Sequence, residues 1–114
     1  MSHQPVNDLH ALSDELLEAA RASRSGRAAR TVFGEAHQRL HQTLIALLAG
    51  QGLAEHGNPG QATVQVLRGS LTLDSGSEVL RGSLGTLLAV PENDHSLSAV
   101  QDTVLLLTVA KVEH

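Results

Sequence analysis

Residues 50–69 read GQGLAEHGNPGQATVQVLRG, and this stretch decides the fold. The turn-forming letters NPG are followed by alternating apolar residues, which predicts a strand that starts after a turn. His56 and Asn58 stand two residues apart, so on extended backbone both side chains face the same side of a sheet. Ala62 and Val64 share a face further along for the same reason. The stretch therefore predicts polar groups at one end of a sheet with an aliphatic wall behind them.

The chain after this stretch continues in the same way. Short apolar runs such as SLTL, TLLAV, HSLSAV and TVLLLTV are separated by turn-rich segments such as DSGS and PEND. This spacing is typical of antiparallel sandwiches and barrels. Gly69 lies between VQVL and LTL, where its tolerance of a positive φ predicts a hairpin turn. The body of the protein is thus predicted to be all-β.

One helix is predicted before this body. Apolar residues recur at helical spacing from Leu9 to Leu16, and Gly26 follows the last periodic turn as the expected stop. The apolar stripe is narrow, so it must pack either on the main body or on a second copy of the chain. We expect residues 1–26 to form a helical arm and residues 27–114 to form the β-barrel of a single structural domain.

Residues 38–48 carry conflicting signals. Leucine and alanine favour a helix, and Gly50 would cap it. A helix here, however, would leave the preceding strand TVF without a neighbour, so we predict a strand. His37 and His41 have the spacing of a helical zinc pair, but Gln38 stands where that motif has its general base.

Composition excludes several function classes. The 114 residues suffice for one packed core, and no cysteine is present for disulfides or thiolate metal sites. A net charge of −4 and a single aromatic residue, Phe33, argue against a nucleic-acid partner. No apolar run approaches the ~20 residues that span a bilayer, and the first residues lack the layout of a signal peptide. We therefore expect a cytoplasmic protein without a membrane partner.

Several glycine, histidine and proline spacings resemble the two sequence motifs of the cupin superfamily. The resemblance covers roughly residues 40–110. The residues that carry it are Gly50, His56, Gly69, Gly85, Pro91 and His95. It implies a mostly β fold, a double-stranded β-helix or jelly-roll barrel preceded here by one α-helix. Cupin barrels are commonly dimeric and often hold a metal inside.

Carried over residue by residue, the resemblance implies a reduced metal site. His56 matches the first ligand histidine, and His95 matches the histidine of the second motif, one residue early. Asn58 replaces the second ligand histidine, and Ala62 replaces the glutamate. His56, His95 and Asn58 would then be the ligands of a divalent transition metal (Mn, Fe, Ni or Zn), with metal weak or absent because an amide is a poor donor. Together with Ala62 and Val64, they would line a pocket for a small organic ligand.

Three functions remain open at this point. The favoured one is a small stand-alone cupin-like barrel that binds a small organic ligand in its central pocket. The alternatives are a metal-dependent enzyme of the oxygenase or isomerase type, which would use His56 and His95, and a structural or regulatory homodimer. We expect a homodimer in each case, because Leu67, Leu71 and Leu73 are predicted on outer sheet faces that would need cover.

Overall fold

The computed structural model describes residues 5–55, 60–92 and 94–111. This part of the chain contains one helix, α1 (Leu9–Ala22), and nine strands. The strands are β1 (Arg27–Phe33), β2 (Leu40–Leu47), β3 (Gly52–Glu55), β4 (Gly60–Arg68), β5 (Ser70–Asp74), β6 (Val79–Ser83), β7 (Leu87–Ala89), β8 (His95–Ala99) and β9 (Thr103–Lys111). The predicted class, mostly β with one N-terminal helix, is confirmed.

The strands form two antiparallel sheets. The larger sheet has the order β1-β2-β9-β4-β7, and the smaller sheet has the order β3-β8-β5-β6. Buried aliphatic side chains from both sheets form one core between them, including Ile45 and Leu105 from the larger sheet and Leu73 and Leu97 from the smaller. The two sheets therefore pack face to face.

Strand β9 lies in the middle of the larger sheet, paired with β2 on one side and β4 on the other. Its side chains alternate between two apolar environments. Leu105 belongs to the core between the sheets, whereas Val104 and Leu106 belong to a second cluster on the opposite face. The uninterrupted run VLLL is explained by this burial on both faces.

Helix α1 covers that opposite face. Leu16 and Ala20 of the helix pack in one cluster with Leu44 and Ala46 of β2. The apolar stripe that the sequence predicted is therefore docked on the main body of the same chain. Among the described residues, no helix is long and apolar enough to cross a membrane.

The ends of α1 are fixed by local hydrogen bonds. The Asp8 side chain accepts a hydrogen bond from the backbone N–H of Ala11 at 3.0 Å and caps the first turn. The helix ends at Ala22, four residues before Gly26. Gly26 is not the immediate stop that we predicted; with a φ of 65° it turns the chain into β1.

An ion pair adds to the contact between α1 and β4. Arg68 Nη1 donates to Asp14 Oδ1 at 2.8 Å. This hydrogen bond, with the positive charge of the guanidinium, lowers the pKa of the Asp14 carboxyl from its ordinary value. The pair is largely exposed on the Asp14 side, so it positions the helix more than it stabilises it.

The prediction of a strand over residues 38–48 is confirmed by β2. This strand pairs with β1 and β9, so the partner that β1 requires is present. His37 precedes the strand and His41 lies within it. The two histidines therefore do not share a helix, and the helical zinc pair does not exist.

The predicted hairpin at Gly69 is wrong, because β4 and β5 lie in different sheets. Gly69 has a φ of 73°, as a tight turn requires, but it forms a corner at which the chain crosses from one sheet to the other. A Cβ atom on Gly69 would lie 2.2 Å from the carbonyl oxygen of Asp102. Next to it, the Thr103 hydroxyl donates to the carbonyl of Ser70 at 2.9 Å, which fixes the corner against the start of β9.

This corner also changes the place of the leucines that follow it. Leu71 and Leu73 are each 1% exposed and lie in the core between the sheets, so the prediction that they face outward is wrong. Leu67 does face outward, but it packs against the cluster under α1. None of these three leucines needs a second chain to cover it.

Replacing Gly69 with alanine tests the corner, and Gly76 provides a matched control. Gly76 has a φ of 90°, and a Cβ there would meet nothing within 4 Å. Gly76→Ala should lower the free energy of unfolding by about 1–2 kcal/mol, the cost of a left-handed non-glycine residue. Gly69→Ala should lower the free energy of unfolding by roughly 2 kcal/mol more than Gly76→Ala, because its Cβ would also collide with the backbone carbonyl of Asp102. Guanidinium unfolding measures the stability of both variants. Equal losses of stability would contradict the close approach of Gly69 to the Asp102 carbonyl.

Candidate functional site

A cavity of about 280 Å³ lies between the two sheets. Its volume is near the lower end of the ~300–1,000 Å³ range of ligand pockets. Aliphatic side chains from both sheets form most of the wall, among them Ile45, Val64, Leu73, Leu97, Leu105 and Leu107. Of the described lining residues, His41, His95 and Lys111 carry polar side chains. Within the described part of the chain, the cavity therefore offers mostly apolar contacts and three side chains with nitrogen atoms.

The three polar side chains share the open end of the cavity. Along β9 the inward-facing residues change from Leu105, which is buried, to Lys111, which is exposed. Along β8 the inward-facing residues change from the half-buried His95 to the buried Leu97. On β2, His41 lies at the exposed end of the strand. Two strands of the larger sheet and one of the smaller thus each place a basic side chain at the mouth.

The position of His41 is fixed by the turn that precedes β2. Its Nε2 lies 2.7 Å from the carbonyl oxygen of Gln38. A carbonyl oxygen only accepts, so Nε2 carries the proton and donates. On the other side of the ring, a Cβ on Gly34 would lie 2.8 Å from Nδ1, so this turn leaves no room for a side chain there. His41 is held against the turn and is not a mobile residue of the pocket.

The described lining residues do not supply the donors that a transition metal needs. Such a site usually has three or more protein ligands with available nitrogen or carboxylate oxygen atoms. Within residues 5–55, 60–92 and 94–111, no three histidine, aspartate or glutamate side chains come together to hold a metal. Among the described lining residues, only His41 and His95 carry ring nitrogens, the Nε2 of His41 donating to Gln38, and Lys111 carries a positive charge. Two imidazoles are fewer than the three ligands that such a site usually has.

The sequence-predicted site residues are placed as follows. His95 and Val64 lie together in the cavity wall. Ala62 is buried two residues from Val64 on β4, and it borders a shallower groove on the larger sheet. His56 and Asn58 lie outside the described residues, so their place in the pocket stays a prediction.

Sequence reasoning did not identify His41 and Lys111 as site residues. The sequence feature that could have identified them is the alternation of side chains along a strand. His41 precedes Ile45 by four residues on β2, and Lys111 follows Leu105 by six on β9, so even spacing puts each on the inner face. The pattern is readable only when the strand and the identity of its buried face are both known.

The architecture is a cupin fold, as the sequence motifs predicted. A conserved protein of unknown function from Streptococcus pyogenes is 27% identical with a TM-score of 0.73; the match covers 100% of this chain and 93% of that one. An RmlC-like cupin protein from Desulfovibrio desulfuricans is 25% identical with a TM-score of 0.71, over 95% of this chain and 97% of that one. No family model and no curated protein matches the sequence.

The likeness extends to a much longer enzyme. Salicylate 1,2-dioxygenase from Pseudaminobacter salicylatoxidans has a TM-score of 0.73 and 19% identity over 88% of this chain, but the match covers 33% of that protein. At this identity the likeness shows a shared fold and carries no activity across.

Proposed function

We propose that this protein binds a small organic ligand in the cavity between its sheets and does not require a metal to do so. The observation that carries the proposal is the division of the lining, with aliphatic side chains in the interior and polar ones at the mouth. Ligand pockets are built in this way, because apolar contacts supply affinity and a few polar groups fix orientation. An apolar ligand segment would cover Leu107 and Val109, the half-buried part of the β9 wall.

Among the described residues, no aromatic core side chain closes the cavity. Phe33, the single aromatic residue of the chain, is 40% exposed on β1 and does not line the cavity. Leucine, valine and isoleucine therefore form the walls, and none of the described lining residues is a large ring. Space of this kind, lined by aliphatic groups, admits apolar molecules readily.

A series of straight-chain alcohols tests the binding site. Each methylene buried should raise affinity roughly fourfold, because it contributes ~0.8 kcal/mol, until the cavity is full. Titration of methyl-labelled protein from 1-butanol to 1-octanol, followed by NMR, should give saturable shifts at Val64 and Leu97. Val109→Phe, on the half-buried part of the wall, should abolish them, and Val100→Phe, at a site 59% exposed outside the cavity, should not. Shifts that do not saturate, or that Val109→Phe leaves unchanged, would remove the proposal.

A metal-dependent enzyme is the alternative, and His95 in the cavity wall is the observation that favours it. Elemental analysis of untagged protein separates the two functions. After exposure to manganese, iron, nickel or zinc, we expect far less than one metal ion per chain, because the described lining supplies too few donors. Near-stoichiometric metal that disappears in His56→Ala or His95→Ala would instead support the enzyme and direct attention to oxygenase or isomerase chemistry.

We also propose that the protein forms a homodimer, through a surface other than the one around Leu67, Leu71 and Leu73. Strand β1 is at the edge of the larger sheet, where its outer edge has no partner strand among the described residues. Phe33 on β1 and Leu40 on β2 are 40% and 41% exposed near this edge. An exposed edge with large apolar side chains favours pairing with another chain.

Light scattering at micromolar concentration tests the dimer. The wild-type chain should have twice the monomer mass, and Phe33→Glu should shift it to the monomer by placing a charge in the interface. Leu87→Glu is the matched control, since Leu87 is 66% exposed at the opposite edge on β7. A wild-type monomer, or an equal effect of both substitutions, would rule out this interface.

A further inference from the structure

We infer that the cavity takes an aliphatic chain that enters apolar end first, and that the deepest layer of its lining limits the length of that chain. This inference rests on the proposed binding function and adds the chemical class of the ligand, an aliphatic compound that is polar at one end only. It starts from the level at which the cavity stops on each strand.

In the larger sheet the cavity stops at one pair of side chains. Ile45 and Leu105 line it, and they lie opposite each other on β2 and β9. The next inward-facing residue of β2 is Leu47, which is fully buried in the core and does not line the cavity. Val66 lies opposite Leu105 on its other side and is buried in the same way. Ile45 and Leu105 are therefore the deepest lining of this sheet.

The smaller sheet has the same arrangement. Leu73 and Leu97 lie opposite each other on β5 and β8, and both line the cavity. Leu71 and Ala99 form the next inward-facing pair, and they are buried in the core without lining the cavity. The deepest lining residues of both sheets belong to one hydrophobic cluster, and we call them the floor of the cavity: Ile45, Leu73, Leu97 and Leu105.

The floor does not accept a polar group. Its four side chains are aliphatic, so none of them donates or accepts a hydrogen bond. Each floor residue lies on a strand that is paired on both sides, so its backbone groups are also engaged. A hydroxyl or a charge placed here would lose its water without a replacement. The apolar end of a ligand therefore faces the floor.

The opposite end of the cavity leaves a polar group in contact with water. Above the floor on β9, Leu107 and Val109 are half-buried and Lys111 is exposed. The strand rises by roughly 20 Å between Leu105 and Lys111. This gradient of exposure sets the direction of the ligand, and it requires no particular charge at the polar end.

Straight-chain alcohols test the floor on the full-length protein, with Leu73→Ala as the variant and Leu71→Ala as its matched control. The two leucines lie two residues apart on β5 and are each 1% exposed, but of the two only Leu73 lines the cavity. Methyl NMR titration gives the affinities of the series from 1-butanol to 1-decanol. For the wild-type chain, affinity should rise about fourfold per carbon up to a limiting length and then stop rising.

The variants should move this limit differently. Leu73→Ala removes three carbon atoms from the floor and should lengthen the limit by about two carbons, because the core relaxes only partly into the space. Leu71→Ala truncates an equally buried leucine below the floor and should leave the limit unchanged. Leu73→Val removes one carbon atom and should lengthen the limit by about one carbon. It perturbs the core less, so it answers the question if Leu73→Ala does not fold.

Two isomeric diols test the direction of binding. In 1,8-octanediol a hydroxyl stands at each end, so one of them would face the floor. In 1,2-octanediol both hydroxyls stand at the same end and remain near the opening. The 1,2 isomer should bind at least about tenfold more tightly, because the other isomer buries a hydroxyl without a partner.

The outcomes separate this inference from the proposed function. An affinity that rises without a limit, a limit that neither Leu73 variant changes, or an equal change in Leu71→Ala would overturn the role of the floor. Equal affinities of the two diols would overturn the direction of binding. In each of these cases saturable binding of the alcohols would leave the proposed function standing. Absence of binding by every alcohol would overturn both.

Discussion

The structure depends on the burial of β9 on both faces. A strand in the middle of a sheet satisfies its backbone through its neighbours, but its side chains require apolar cover above and below. Helix α1 supplies one cover through Leu16 and Ala20, and the smaller sheet supplies the other through Leu73 and Leu97. These two faces of β9 are kept from water by the helix on one side and by the smaller sheet on the other. The corner at Gly69 brings the chain from the larger sheet into the smaller one.

The cover on the inner face is incomplete, and this explains the cavity. Small and medium aliphatic side chains fill the space near Leu105, where both sheets contribute buried residues. Toward Lys111 the same face becomes progressively exposed. Phe33, the one aromatic residue of the chain, does not line the cavity. A cupin fold with few aromatic residues thus combines a well-packed interior at one end with an open, apolar pocket at the other.

Alternation and turn chemistry were sufficient to predict much of the fold. The all-β body, the N-terminal helix and the strand over residues 38–48 follow from local patterns together with the need of each strand for a neighbour. The corner at Gly69 did not follow, because a positive φ indicates a turn without saying which sheet receives the next strand. That single uncertainty inverted the expected face of Leu71 and Leu73.

The candidate site was predicted only in part for a similar reason. His95 was identified through the spacing of the motifs and Val64 through strand alternation, and both line the cavity. His41 and Lys111 fall outside those motifs, and they share the pocket only because β2 and β9 are neighbours. Their pairing joins residues that are far apart in the sequence, and no local pattern specifies it.

The same pairing has a consequence for how the chain is made. Strands β2 and β4 are synthesised early, but each pairs with β9, which lies between them in the larger sheet. During translation the facing edges of these two strands must remain without their final partner until β9 has been made. Pairings so distant in sequence fold slowly and leave strand edges open to other chains. The nascent chain is therefore most vulnerable to aggregation in the interval before its central strand leaves the ribosome.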